Sequence, residues 1–290
     1  MGRCAVLHVL AIVLLVGCAS DAGRASTAPT RVATSPVAAV AVAEPVGEPV
    51  ALRRRHREGD RYEVVTSFDL GDTPVHPDLG YTTWADAELL LDGDGGLIAR
   101  GVFRKSQLRH GDALNPLGEE SNLAGVGVTL WLDDRNRVSR DELVGQSVDN
   151  AGFARVVVDS LRAVRVYYPD APVPVGGSWT AEPVHWDTRP AGWVVVKVQP
   201  TYTLEAVALR GGRRTAHIRW TAVAEIEPFE VGVLTLRARV PIDGTSTIDL
   251  EDGYTGEHDI RGRVELSLAG SAGHVSDVAS VRLIQRVTRR

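Results

Sequence analysis

Cysteine is nearly absent from this chain. Cys4 and Cys18 are the only two in 290 residues, and both lie in the first 18 positions. Everything after that point is barred from disulfides and from thiolate metal sites, so a folded region there must stand on its packed core. Lysine is almost as scarce: all but Lys105 and Lys197 of the 32 basic side chains are arginine, a composition typical of a GC-rich genome. Those 32 bases face 37 acids. There is no basic surplus of the kind that nucleic-acid binding requires, and no nucleic-acid partner is expected. The histidines at 56, 76, 110, 185, 217, 258 and 274 form no H-x-H or H-x-x-x-H pair. G-x-S-x-G, P-loop, kinase and dinucleotide glycine patterns are all missing. No metal, cofactor or catalytic residue is expected. Asp92–Gly96, "DGDGG", opens like a calcium loop, but its twelfth position is Phe103 instead of the closing glutamate; two flanking apolar runs make it a hairpin turn.

What is present begins with the N-terminus. Arg3 supplies a positive charge, and Ala5 to Val16 is apolar except for His8. The run is too short to span a bilayer, which takes about 20 apolar residues, and it has the layout of an export signal. Leu15-Val16-Gly17-Cys18 resembles the bacterial lipobox. The resemblance implies lipidation of the Cys18 thiol, removal of residues 1–17, and a membrane partner reached through the lipid. Two or three acyl chains, at about 0.8 kcal/mol per buried methylene, hold firmly where one is marginal. Ala19, in place of the aspartate that retains lipoproteins in the inner membrane, implies the periplasmic face of an outer membrane in a Gram-negative cell envelope.

Residues 18–48 are rich in Ala, Ser, Thr and Pro, lack aromatics and show no apolar period. They read as a disordered tether with a reach of roughly 30 Å. "LRRRHREGD", Leu52 to Asp60, marks the entrance to a single β-rich domain over 49–290. Its four arginines around His56 read as a solvated cluster pairing with Glu58 and Asp60, with contact to anionic headgroups as the sharper alternative.

From Tyr62 the chain reads as β. "RYEVVTSFDL" is a strand. Two apolar runs around "DGDGG" make one hairpin and "VTLWLD-DRN-RVSRDEL" a second. Ala216, Ile218, Trp220, Ala222, Ala224 and Ile226 share one strand face, as do Ile260, Val264, Leu266 and Leu268. That period of two marks antiparallel strands with one covered face. "ALRGGRRTA" and "AGSAG" supply turns, and His258-Asp259 reads as polar surface near a turn. One segment differs. Phe153, Val156, Val157, Leu161 and Val164 recur at helical spacing, Asp149 or Asn150 can cap the element, and Pro169 stops it. A helix of about four turns is expected near 150–165, packed on a concave sheet.

"YYPDAPVPVGGSWTAEPVHW", Tyr167 to Trp186, is dense in Pro, Gly and aromatics. Pro169, Pro172, Val173, Val175, Gly176, Ser178 and Trp179 resemble the P-x-x-P-V-x-V-G-D-S-W segment of an uncharacterised family of bacterial lipoproteins, with Gly177 where Asp is usual. The resemblance implies a large curved antiparallel sheet like the half-barrel of lipoprotein-carrier proteins, and it assigns no reaction. Two readings stand side by side. One is a non-enzymatic binding or carrier module for a hydrophobic ligand, with Trp84, Trp179, Trp186, Tyr202 and Trp220 as candidates to line its cavity. The other is a structural lipoprotein whose filled sheet meets an envelope protein. An enzyme is the third. Cavity volume separates the first two: several hundred Å³ under the helix favours carriage.

Overall fold

A computed structural model describes residues 48–290 apart from position 56 and the segments 72–78, 93–95, 111–112, 116–121, 164, 188–194, 232–233 and 271–272. Leu15, Val16, Gly17 and Cys18, together with the tether as far as residue 47, lie outside the described residues. No described helix is long and apolar enough to cross a membrane.

The domain is mainly β. Its strands are β1 (Arg61–Leu70), β2 (Leu79–Leu91), β3 (Leu97–His110), β4 (Ala113–Asn115), β5 (Gly127–Leu132) and β6 (Val138–Val144). After the helix α1 (Ala151–Ala163) come β7 (Ser178–Thr180), β8 (Val184–Asp187), β9 (Val195–Val198), β10 (Thr201–Arg210), β11 (Arg213–Val231), β12 (Leu234–Asp249), β13 (Thr255–Gly270) and β14 (Gly273–Arg289). All fourteen belong to one antiparallel sheet, in the order β6-β5-β3-β2-β1-β14-β13-β12-β11-β10-β7, with β4 on β3 and the β8-β9 pair on β11. The sheet does not close, because β6 and β7 are not neighbours. It is built from two runs of strands that mostly follow in sequence, joined where the first strand meets the last. β1 pairs with β14 from Tyr62↔Arg289 to Leu70↔Val281. Arg289 fastens that seam with salt bridges to Asp60 and Asp252, each 2.6 Å.

The expected hairpins form. β2 and β3 pair around Asp92, whose N–H donates to the Gly96 carbonyl at 2.9 Å. β5 and β6 pair around Asp133–Arg137. In that turn the Asp133 carboxylate accepts the backbone N–H groups of Arg135 and Arg137 at 2.9 and 2.8 Å. Asn136 takes a positive φ of 66°, a conformation asparagine tolerates better than most residues. Gly211 and Gly212, both at positive φ, turn β10 into β11.

One face of the sheet is covered in two different ways. Over β2, β3 and β5 lies α1. Its Ala154, Val157 and Val158 are fully buried against Tyr81, Phe103, Val128 and Leu130, with Phe153 and Leu161 alongside. The side chains of Val156 and Val164 lie outside the described residues. Asn150 precedes the helix and exchanges hydrogen bonds with Ser147: Ser147 N–H to its Oδ1 at 2.9 Å, and its own N–H to Ser147 Oγ at 3.2 Å. Asp141 on β6 fixes the exposed flank, accepting from Arg155 and Arg162 at 2.5 and 2.7 Å. Over β10–β14 lies an extended segment instead, with Val166, Tyr167, Tyr168 and Val173 buried against Tyr202, Leu204, Ile218 and Trp220.

Two sequence expectations need correction. The helix has 13 residues and ends at Ala163, so at 3.6 residues per turn it stops short of four turns. Pro169 lies well beyond its end. Val166, Tyr167 and Tyr168 are buried consecutively. They follow the helix in non-helical backbone. His258 is not surface either. It sits two residues from Ile260 on the covered face of β13 and is buried.

A cationic cavity beneath the helix

A half-open pocket of about 140 Å³ lies beside the C-terminal end of α1, where Leu161 reaches it, and its floor follows from strand parity. Tyr62, Val64 and Thr66 on β1 face inward, opposite Ala87, Ala85 and Thr83 on β2. Those in turn face Gly101 and Phe103 across the β2·β3 ladder, with Leu89 opposite Ala99. Three of these inward positions, Ala85, Ala87 and Ala99, carry alanine where a filled core would carry valine or leucine, and the missing methyl groups are the space; above Gly101 the room is taken by Val128 Cγ1, 3.2 Å from where a Cβ would stand. Leu161 of α1 and Val128 and Leu130 of β5 complete the apolar wall.

A polar row crosses this face. Ser106, Thr83, Thr66, Gln285, His258 and Ser246 are consecutive cross-strand partners on β3, β2, β1, β14, β13 and β12. Five of them are only 1 or 2 % exposed, Gln285 being the exception. Gln285 Nε2 donates to Thr66 Oγ1 at 3.3 Å, and Trp220 Nε1 donates to Ser246 Oγ at 3.2 Å. Ser246 Oγ lies 2.7 Å from His258 Nδ1. Thr66, Thr83, Gln285 and His258 line the cavity, whereas Ser246 does not. A Ser–His pair at this distance has the look of a nucleophile and its base, but the hydroxyl has no access to the cavity. Burial, with help from the charge of Arg165, holds the imidazole neutral, its pKa lowered to about 3.

Two arginines line the same cavity. Arg54 comes from the cluster at the domain entrance and Arg165 from just past α1. Both reach the side-chain oxygen of Asn136, Arg54 Nε at 2.9 Å with its Nη2 also bonded, and Arg165 Nη1 at 3.0 Å. Asn136 is held in turn by its Nδ2, which donates to the Val166 carbonyl at 2.8 Å. Arg165 Nε is buried without a hydrogen-bond partner. Burial lowers the pKa of both guanidiniums; the charge of Arg54 adds to the effect on Arg165, which falls to about 10. Both stay charged at neutral pH.

The entrance cluster therefore does not pair as expected. Arg53 bridges to Asp134 at 2.9 Å and reaches the Asp170 carbonyl. Asp60 takes Arg289 and the backbone N–H of Arg57. The pairing partners come from distant turns that the local charge pattern cannot reveal.

The aromatic candidates fall elsewhere. Trp179, Tyr202 and Trp220 form one stack in the filled half, with ring centroids 5.3 and 6.1 Å apart. Trp179 Nε1 donates to the Tyr167 carbonyl at 2.8 Å, tying the Pro/Gly segment down, and its ring also borders an open cleft beside Arg135 and Glu182. Tyr202 is fully buried, its hydroxyl donating to the Arg165 carbonyl at 3.0 Å. Trp84 lies on the opposite face of β2 from Thr83 and Ala85, with the Lys105 ammonium 5.0 Å from its ring. Trp186 stands on β8 opposite Val196, and its side chain lies outside the described residues. None of the four described aromatics lines the cavity. Arg54, Arg165 and His258 were missed as site residues. For His258 the signal was its parity with Ile260.

Comparison with known proteins adds little. No protein-family model and no curated protein matches the chain. A crystal structure from Nitrosomonas europaea, provisionally assigned as AttH, is 9 % identical and covers 82 % of this chain and 98 % of its own, with a TM-score of 0.16. A score that low carries no argument.

Proposed function

We propose that this chain is a lipid-anchored cell-envelope protein whose β domain is a non-enzymatic binding module for a small, largely apolar ligand. Cys18, presented by Leu15, Val16 and Gly17, is the attachment point, and Ala19 favours the periplasmic face of an outer membrane. The sheet is read as a curved half-barrel with α1 on its concave side. The observation that carries the binding reading is the cavity floored by Ala85, Ala87, Ala99 and Gly101. Its volume of about 140 Å³ falls short of the several hundred Å³ expected for carriage and narrows the ligand. An apolar cavity of about 150 Å³ takes benzene, so a ring or short acyl segment suits this one and a whole diacyl lipid does not. The filled half over β10–β14 supports the alternative, a scaffold that meets an envelope protein, for that part of the sheet.

Native mass spectrometry of the chain isolated from its membrane tests the binding reading. A co-purifying molecule of a few hundred daltons or less is expected, and a chain of bare mass in repeated preparations would count against it. Cys18→Ser tests the anchor separately: the protein should leave the membrane fraction, and retention would refute the lipobox assignment.

A further inference from the structure

We propose that the ligand of this cavity is an anion, a small monocarboxylate with a benzene-sized apolar body, held by Arg54 and Arg165. This rests on reading the cavity as a ligand site. The chain carries more acids than bases, and its arginines generally find carboxylates: Arg213 grips Asp249, Arg282 grips Asp259, and Arg155 and Arg162 share Asp141. Arg54 and Arg165 do not. Among the described residues neither forms a salt bridge, and no carboxylate lines the cavity they enter. Asp133, whose charge acts on Arg54, is already taken by the Arg137 guanidinium at 2.6 Å and by two backbone N–H groups.

What the two guanidiniums share is one neutral amide oxygen, on Asn136. An amide oxygen orients two cations but does not neutralise them. Like charges brought together out of water repel with little screening, and a partly desolvated pair with an unused buried donor on Arg165 is short of one acceptor with negative charge. A carboxylate supplies it in the geometry a guanidinium prefers. Asn136 is itself fixed by the hairpin turn and by Val166, so the arginines are positioned before the anion arrives. The neutral His258 and the hydroxyls of Thr66 and Thr83 add polarity without a competing negative charge, while Ala85, Ala87 and Ala99 leave room for the apolar body.

The test compares benzoate with benzyl alcohol, equal in ring size and different in charge, by isothermal titration of the full chain at low ionic strength. Benzoate should bind at least tenfold more tightly. Arg165→Met should weaken benzoate at least tenfold, down to the affinity of the alcohol. Equal affinities in the wild-type chain would overturn the anion assignment while leaving the cavity as an apolar site. Failure of both probes to bind would overturn the anion assignment together with the binding reading itself. The wild-type comparison needs no variant to fold.

Discussion

The two halves of the covered sheet face are both built of antiparallel strands joined by tight turns and reach opposite results. Over β10–β14, inward positions carry Tyr202, Leu204, Ile218 and Trp220, and an extended segment presses Tyr167 and Tyr168 onto them. Over β1–β3, Ala85, Ala87 and Ala99 line a pocket at the end of a helix whose Ala154, Val157 and Val158 pack on the strands beside it. Each side suits its cover. An extended segment lies close to a sheet and sends alternate side chains down onto it. A helix stands about 10 Å off the sheet it covers, and only large side chains below it can close the space.

The sharpest way to break that comparison is to truncate equivalent side chains. Tyr202→Ala in the filled half should cost about 3–5 kcal/mol in urea unfolding, since it leaves a void among close-packed neighbours. Leu161→Ala on α1 should cost at most about 2 kcal/mol, because that side chain already borders open space. Equal losses would mean that the two halves are packed alike.

Acid probes the boundary between them. His258 has a pKa lowered from 6.5 to about 3, chiefly by burial and further by Arg165. The unfolded chain therefore binds a proton that the folded chain refuses. The stability associated with the neutral imidazole is complete above pH 6.5 and is lost as pH falls from 6.5 towards 3, by up to about 1.4 kcal/mol per pH unit. Unfolding midpoints measured across that window should fall more steeply for the wild-type chain than for His258→Gln; parallel curves would show that the imidazole is accessible to water.

A smaller effect is expected at the helix flank. Asp141 accepts from Arg155 and Arg162 while remaining only partly exposed, so Asp141→Asn should cost about 1–3 kcal/mol. Because it loosens the cover over the cavity and leaves the strap alone, faster amide exchange should appear in α1 and not in Val166–Val173.

Much of this architecture was legible from local pattern. β1 is the segment read as a strand, and the faces of β11 and β13 follow the period of two wherever their side chains are described. Strand parity is a property of adjacent residues, so sequence carries it. The site was less legible because it is made by pairing. Thr66, Thr83, Gln285 and His258 are scattered over four strands and meet only through register. Arg54 belongs to a run of arginines that looks uniformly solvated until one of them is seen turning inward to Asn136. The helix ends at Ala163, well before Pro169, and Trp179 and Trp220 belong to the half that is full. Alanine at inward positions of β2 and β3 was the visible trace of the cavity.

The central claim is that the space beside the end of α1 is a binding site and not a packing defect. Titration of benzoate into the full chain and into its Ala87→Leu variant tests it most directly, with thermal unfolding of each as the control for folding. The leucine should occupy the cavity, abolish benzoate binding and leave the unfolding midpoint unchanged or higher. Undiminished benzoate binding in a folded Ala87→Leu chain would contradict the account.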